Sequence, residues 1–338
     1  MNNKTLFFPY TSKSYPLIHN LLERKKEFEV ASYKGSGLVG KDIAVAINSH
    51  EEGLIVKNIF EINLHSFNHL VILDSDFEKI NFTDIMKIVD DFNKQGGKVT
   101  ILSRFIKNKI SQIKHNGIKE FIYEIKKPII YVTGIYDTVF NSLTSVGIQR
   151  ALEKKGIHTN ILTFDSNLAY LNYHVVDYSE HSFDNLAYYI YYLRRDIQRI
   201  LSNETLDALI IQVPGGLVQS NERHFNDFGI YYTVFNDIAE PDYIICNFPY
   251  YFKENGTLNQ VDEIIQYKSH KKIDSILFNN YYMKTNEPIS LSANKDIVFV
   301  PENIKERNHE QLDIELSNKI KKSYSEIALD IINKLGGD

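Results

Sequence analysis

Residues 127–142 read KPIIYVTGIYDTVFNS, an apolar run that ends at a glycine and leads into a segment with helical spacing. The pattern predicts a buried strand over Ile129–Thr133 and a helix over Asn141–Lys155, which Gly156 ends. A strand, a glycine-containing loop and a helix amino terminus are the parts of the phosphate-binding loop of P-loop NTPases. This stretch therefore predicts the opening of a P-loop-like α/β domain.

The loop after Gly134 lacks the side chains with which a P-loop holds phosphates. A working loop ends in a glycine and a lysine, whereas the two possible registers put Val139 and Phe140, or Phe140 and Asn141, at these positions. Asp137 also places a carboxylate where the phosphates would lie. We therefore expect the shape of a P-loop without its chemistry.

The strand predicted over Leu209–Val213 lacks the other catalytic element. Gln212 and Pro214 stand where an acidic residue would hold magnesium, so we expect no NTP hydrolysis. Ligands of open α/β sheets bind at the carboxyl ends of strands. That position makes the following residues candidates for ligand binding: Gly134, Tyr136, Asp137, Asp165, Ser166, Gly215 and Gly216, and the loop residues Asn221, Glu222, Arg223 and His224.

The whole chain alternates short apolar runs with helical segments, which is typical of mainly parallel sheets covered by helices. Its 338 residues, 43% of them hydrophobic, suffice for two cores. We predict a Rossmann-like domain over residues 1–126 and a degenerate P-loop NTPase-like domain over residues 127–338. The other predicted strands are Leu6–Pro9, Phe28–Tyr33, Leu70–Asp74, Val99–Ser103, Glu120–Glu124, Thr159–Phe164, Tyr243–Cys246 and Ile297–Val300, and the other predicted helices are Ser14–Lys25, Asn81–Lys94, Phe105–His115, Ser182–Leu201 and Gln311–Leu335.

The composition excludes several classes of protein. A net charge of -5 does not fit an extended surface for nucleic acid or anionic membrane. No apolar run reaches the ~18 residues of a membrane span, and Met1–Tyr10 is too short for a signal peptide, so we expect a cytoplasmic protein. The one cysteine, Cys246, rules out an intrachain disulfide and is expected to be a core thiol. No metal site is predicted, because the histidines that come close in sequence lack a full set of ligands: His65 with His69, and His174 with Asp177 and His181.

A second glycine-rich motif, GSGLVGKD, occupies residues 35–42. It matches G-x-G-x-x-G and also G-x-x-x-x-G-K, with Asp42 where the latter has Ser or Thr. Close glycines let backbone amides point at an anion, and a lysine adds positive charge. However, the loop follows the second strand and not the first, and the carboxylate of Asp42 repels a phosphate unless a metal lies between them. A ligand-binding loop and a structural crossover are both open; the ligand-binding residues would be Gly35, Gly37, Gly40 and Lys41.

Three stretches carry a resemblance to a known family: Pro128–Ser166, Asp207–Gly216, and residues 226–245, which begin NDFGIYYT and end AEPDYII. With these the chain resembles the clostridial peptide maturation system proteins, found in gene clusters for ribosomally made, modified peptides. That family is similar to a wider group with a Rossmann-like first domain and a P-loop second domain. The wider group has a small residue and a lysine where this chain has Phe140 and Asn141. The resemblance implies a role in peptide natural-product maturation and no particular reaction.

We therefore expect an accessory, non-hydrolysing protein of peptide maturation that binds a ligand or partner in the cleft between its domains. A precursor peptide or a maturation enzyme is the expected partner, and the sequence names no cofactor. The alternative is an atypical nucleotide-dependent ligase or transferase that uses the Gly35–Lys41 loop; a Rossmann oxidoreductase would need a glycine turn after the first strand. The helix Ser182–Leu201 offers either a partner surface or packing between domains through its tyrosines: Tyr188, Tyr189, Tyr191 and Tyr192.

Overall fold

The structure is a computed structural model that describes residues 4–24, 26–75, 82–103, 125–176, 186–217, 229–249, 257–283, 297–299 and 318–336. The chain forms two compact units, Met1–Glu120 with Asp165–Asn172, and Phe121–Phe164 with Tyr173–Asp338. Each unit has its own parallel sheet, so the fold is α/β with two Rossmann-like or P-loop-like sheets, as the sequence predicts. The first crossing between the units falls outside the described residues, so the boundary at residue 126 stays a prediction. Residues 165–172, which the sequence assigns to the second domain, pack in the first unit.

The first unit is built on five parallel strands: β1 Thr5–Phe8, β2 Phe28–Ser32, β3 Lys57–Asn58, β4 His69–Ile72 and β5 Lys98–Ile101. Their order in the sheet is β3-β2-β1-β4-β5. In its described residues the α-helices are α1 Tyr15–Glu23 and α2 Phe82–Lys94. Alternate residues of β1 and β4 point to one face of the sheet and pack against α2, because side chains alternate along a strand: Leu6, Phe8, Leu70 and Ile72 meet Ile85, Val89 and Phe92.

The second unit has six parallel strands: β6 Ile129–Gly134, β7 Thr159–Thr163, β8 His174–Val175, β9 Ala208–Gln212, β10 Tyr243–Pro249 and β11 Ser275–Asn279. Their order is β11-β10-β6-β9-β7-β8, so β6 and β10 are interior strands that are buried along their whole length. The strand predicted over Ile297–Val300 exists as β13 Ile297–Phe299, but it pairs antiparallel with β12 Tyr281–Met283 in a separate two-stranded sheet.

The helices of the second unit whose bounds the structure describes are α3 Val139–Glu153, α4 Leu186–Leu201, α5 Ile230–Ile238, α6 Thr257–Ser269 and α7 Tyr324–Leu335. Helix α3 packs on β6, β7 and β9, and α7 packs on α3. The range predicted as one helix, Gln311–Leu335, is not continuous in its described part: residues 318–319 are helical, Ile320 forms an isolated bridge with Ile276, and α7 begins at Tyr324. Ser323 caps α7 by accepting a hydrogen bond from Glu326 N at 3.2 Å. No helix in the described ranges has both the length and the hydropathy needed to cross a membrane. The predicted strand Glu120–Glu124 and helix Phe105–His115 lie outside the described residues.

Candidate functional site

The carboxyl ends of β6, β9 and β10 meet at the loop that corresponds to a P-loop. Leu217 N donates a hydrogen bond to Gly134 O at 3.2 Å, and Ile135 N donates to Asn247 O at 3.1 Å. These bonds join the loop after β6 to the chain after β9 and to the end of β10. The structure therefore brings three candidate glycines together at one buried edge of the sheet: Gly134, Gly215 and Gly216.

The side chain of Asn141 fills the inside of this loop. Its Nδ2 donates to Tyr136 O at 3.4 Å, and its Oδ1 accepts from Asn247 Nδ2 at 3.0 Å. A Cβ added to Gly134 would lie 2.8 Å from Asn141 Oδ1 and 2.9 Å from Tyr136 O. Glycine is therefore required at this position by the close approach of protein atoms, whereas in a working P-loop it is required by the close approach of phosphate.

Asn247 is the centre of the hydrogen-bond network behind the loop. Its side chain has no exposed surface. Its Nδ2 donates to Asn141 Oδ1 and, at 3.3 Å, to Thr133 O. Its Oδ1 accepts from Thr144 Oγ1 at 3.0 Å and from Asn279 Nδ2 at 2.9 Å. A carboxamide has two donors and two lone pairs, so every hydrogen-bonding position of Asn247 is used within the protein.

The amino terminus of α3 is capped by its own chain. Thr138 is the N-cap residue, and its Oγ1 accepts from Phe140 N at 3.3 Å while its carbonyl oxygen accepts from Asn141 N at 3.0 Å. These are amides that a P-loop helix would direct at a phosphate. The side chain of Phe140 packs against the apolar core. This helix terminus is therefore bound within the protein.

Where a P-loop NTPase has the acidic residue that binds magnesium, this unit has Gln212, which is hydrogen-bonded to Ser142. Gln212 Nε2 donates to Ser142 Oγ at 3.2 Å, and Gln212 Oε1 accepts from Thr163 Oγ1 at 2.6 Å. In the register that aligns Phe140 and Asn141 with the glycine and lysine, Ser142 is the hydroxyl that would bind magnesium. Both residues are buried and neither carries a charge. They thus form a neutral contact between α3 and β9.

The glycine loop of the first unit is exposed, and its backbone is in the left-handed conformation at two glycines. Gly37 has a φ of 73° and Gly40 a φ of 80°, a conformation that favours glycine. Gly40 N donates to Val56 O at 2.8 Å, and Lys41 N donates to Leu38 O at 3.0 Å. These two amides donate to the backbone of their own unit and so do not point at an anion.

Asp42, which the sequence treats as a carboxylate that repels phosphate, is buried and faces its own loop. Its Oδ1 accepts from Ala44 N at 2.9 Å and from Glu52 N at 3.1 Å, and its Oδ2 accepts from Gly53 N at 2.8 Å. One carboxylate thus joins the start of a short 3-10 helix to the turn at residues 52–53. These hydrogen bonds explain an aspartate at this position without a metal.

Replacing Asp42 by Ala is expected to lower the free energy of unfolding by about 2 kcal/mol, because one buried and two partly buried backbone amides lose their acceptor. Hydrogen exchange followed by mass spectrometry should show lost protection in the turn that contains Glu52 and Gly53. The matched control is Ala at exposed Glu51, which should leave exchange in that turn unchanged. Unchanged protection in the Asp42 variant would exclude this role.

The other candidates are dispersed. His69 lies in β4, its Nε2 is 2.8 Å from Thr100 Oγ1, and burial lowers its pKa. Cys246 is buried in the core, and burial raises the pKa of its thiol well above the ordinary value, as expected of a structural cysteine. The described residues contain no group of three His, Cys, Asp or Glu side chains placed to hold a metal ion. Several candidates lie outside the described residues or have side chains outside them: Asp177, His181, Asn221, Glu222, Arg223, His224 and the tyrosines Tyr188, Tyr189, Tyr191 and Tyr192.

The sequence pattern missed the residues that complete the polar network, Asn247, Thr144 and Asn279. A signal was present, since Asn247 interrupts the apolar run of β10 and a polar residue within a buried strand calls for a partner. The pattern could not name the partner, because the bonded residues lie 32 to 114 positions apart in the chain.

Comparisons with known proteins bear on the fold. No family model matches the chain, and no curated protein matches it. A solved structure of a DUF1611 family protein from Anabaena variabilis is similar with a TM-score of 0.54 and 10% sequence identity, and the match covers 84% of this chain and 89% of that one. A murein peptide ligase from Psychrobacter arcticus gives a TM-score of 0.23 at 10% identity, with 82% and 48% of the two chains covered. The first of these likenesses shows a shared α/β fold across most of both chains.

Proposed function

We propose that this chain is a cytosolic, non-hydrolysing accessory protein of peptide natural-product maturation, in which the second unit is a P-loop-shaped scaffold without nucleotide chemistry. The observation that carries the proposal is Asn141, whose carboxamide occupies the loop and bonds to Tyr136 and Asn247. A nucleotide phosphate would have to displace buried, paired protein groups, which costs their hydrogen bonds. The scaffold is therefore complete without a ligand in the loop.

The charges at the carboxyl ends of β6 and β9 also support the proposal that the second unit is a scaffold without nucleotide chemistry. Phosphoryl transfer relies on a lysine, a magnesium ion and its acidic ligand to neutralise charge. At the matching positions this unit has Asn141, Ser142 and Gln212, three neutral side chains that bond within the protein. Asp137, which is exposed at the loop, adds negative charge and disfavours a phosphate further.

The process is proposed from the sequence resemblance, and its expected partner is a precursor peptide or a maturation enzyme. The DUF1611 family protein is similar at 10% sequence identity, so it supports the fold and adds no activity. The alternative, a ligase or transferase at residues 35–41, is less favoured by the geometry, because the amides of Gly40 and Lys41 bond to backbone carbonyls.

Purified protein with magnesium and ATP or GTP is expected to release no phosphate above the background of a Ser142→Ala variant, since the lysine and the metal-binding carboxylate are both absent. Circular dichroism would establish that the variant is folded. Turnover that Ser142→Ala abolishes would contradict the scaffold. Turnover that survives Ser142→Ala but disappears in Lys41→Ala would favour the first-unit enzyme instead.

The process is tested in the producing cell. Deletion of the gene is expected to leave precursor peptide unprocessed, as measured by mass spectrometry, and the gene that carries Ser142→Ala is expected to restore the mature product. Normal product in the deletion strain would contradict a role in maturation. Failure of Ser142→Ala to complement, with the variant present and folded, would contradict a non-hydrolysing role.

A further inference from the structure

Three buried residues of the first unit have side chains without a hydrogen-bond partner, and the hydroxyls of the partly exposed Thr11 and Tyr33 lack one as well. Asn20 has no exposed surface, and neither its Oδ1 nor its Nδ2 is paired. Ser75 and Ser166 are 6% and 3% exposed, and the Oγ of each is unpaired. A buried polar group without a partner destabilises the fold, and such groups are few in native proteins. Three in one unit call for an explanation other than stability.

The three side chains lie on segments that pack together. The side chain of Asn167 holds the backbone of Asp74 with two hydrogen bonds, accepting from Asp74 N at 2.7 Å and donating to Asp74 O at 3.3 Å. Ser75 and Ser166 are each the next residue to this pair. Asn20 lies on α1, which packs against the short 3-10 helix Ser166–Leu171. The unpaired atoms therefore belong to three segments that meet at one junction.

This junction lies at the edge of the sheet where α/β proteins bind ligands. The chain places β2 and β3 on one side of β1 and then β4 and β5 on the other, so the strand order reverses between β1 and β4. Phe8 is paired with Ile72 at the carboxyl end of both strands, and Leu73 N donates to Phe8 O at 2.8 Å. Ser75 follows two residues later. The unpaired serines thus sit beside the switch point of the sheet, and α1 begins there.

The chemistry of the junction favours a neutral ligand over a phosphate. The segment after β1 reads PYTSKS, residues 9–14, and contains no glycine that would let the backbone approach a pyrophosphate. A carboxamide and two hydroxyls carry no charge, and each both donates and accepts. The N–H and C=O of one residue in an extended peptide point to the same side, so a carboxamide can pair with them through two complementary bonds, N–H to C=O in each direction.

We propose that Asn20, Ser75 and Ser166 form a binding site for an amide group of a peptide, with the Asn20 carboxamide as its principal partner. The peptide nature of the ligand rests on the proposed function; the existence of the site rests on the unpaired groups. Because these atoms are sealed from solvent, the Ser166–Leu171 helix must move away from α1 when the ligand enters. The three polar groups then have partners when the ligand is bound, and they lower the stability of the ligand-free protein.

The first test compares Asn20→Leu with Asn247→Leu in the full chain. Asn20→Leu is expected to keep or raise the midpoint of thermal unfolding, since it removes an unpaired group, whereas Asn247→Leu removes a paired one and should lower it. The gene with Asn20→Leu should then fail to restore the mature peptide where Ser142→Ala restores it. A folded Asn20→Leu protein that complements fully would overturn the site, while leaving the role of the protein in maturation intact.

The second test is direct and does not depend on the pathway. In ¹⁵N-labelled protein the side-chain NH2 signal of Asn20 is identified by its absence in Asn20→Leu. Adding N-acetyl-glycyl-glycinamide at millimolar concentration is expected to shift this signal and to leave the Asn247 NH2 signal in place. Sodium acetate, which lacks the amide N–H, is the control and should have no effect. No shift of the Asn20 signal, or the same shift with acetate, would overturn the proposal.

Discussion

Replacing Asn247 by Leu is expected to lower the free energy of unfolding by about 3–4 kcal/mol, a large loss for a change that keeps the side-chain volume similar. The reason is that four hydrogen-bonded groups lose their common partner in a site with no exposed surface: Thr133 O, Asn141 Oδ1, Thr144 Oγ1 and Asn279 Nδ2. Urea unfolding monitored by circular dichroism measures the loss. Hydrogen exchange should also increase in residues 134–138, because the Asn247 side chain holds Asn141, whose Nδ2 bonds to Tyr136 O within that loop.

The matched control is Leu at Asn259, an exposed asparagine on α6 of the same unit. This substitution is expected to change stability by no more than about 0.5 kcal/mol. An Asn247→Leu protein as stable as the control would mean that the network contributes nothing to the fold. The loop would then have to be kept in shape by some other contact, and the scaffold proposal would lose its physical basis.

Replacing Gly147 by Ala is expected to destabilise the second unit, although the same change in a free helix is stabilising. Gly147 lies within α3, and a Cβ there would be 2.3 Å from the ring of Tyr324 at the start of α7. Alanine gains about 1 kcal/mol over glycine in a helix interior. Overpacking against a ring whose hydroxyl is bonded to Thr144 costs about 1–3 kcal/mol, so we expect a net loss of up to about 2 kcal/mol.

A double-mutant cycle decides whether the Tyr324 ring causes the loss of stability in Gly147→Ala. In a Tyr324→Ala background the steric conflict is gone, and Gly147→Ala is expected to stabilise the protein by about 1 kcal/mol relative to Tyr324→Ala alone. Urea unfolding of the four proteins measures this change of sign. Stabilisation in both backgrounds would mean that α7 does not press on α3 at this glycine.

The class of fold and most of the strands were predictable because their signal is local. A run of apolar residues that is buried on both faces, such as Ile129–Val132 or Tyr243–Cys246, identifies an interior parallel strand by composition alone. The ends of helices at glycines were equally predictable from the sequence: Gly156, which follows α3, has a left-handed φ of 82°. The sequence did not indicate β11, α5 or α6, whose apolar residues are mixed with polar ones over short segments.

The sequence by itself determined that this protein has α/β units and that the loop after β6 and the end of β9 lack the lysine and the acidic residue of a P-loop NTPase, because both follow from residue types at fixed spacings. Only the tertiary structure decided which contacts the residues at those positions make instead. The bonds that join Asn141 to Asn247, and Ser142 to Gln212, span 106 and 70 residues, and no local pattern encodes such pairs. The same holds for Asp42 and for the unpaired Asn20: each is an ordinary polar residue in the sequence, and its role depends on which distant backbone or side-chain groups the fold places beside it.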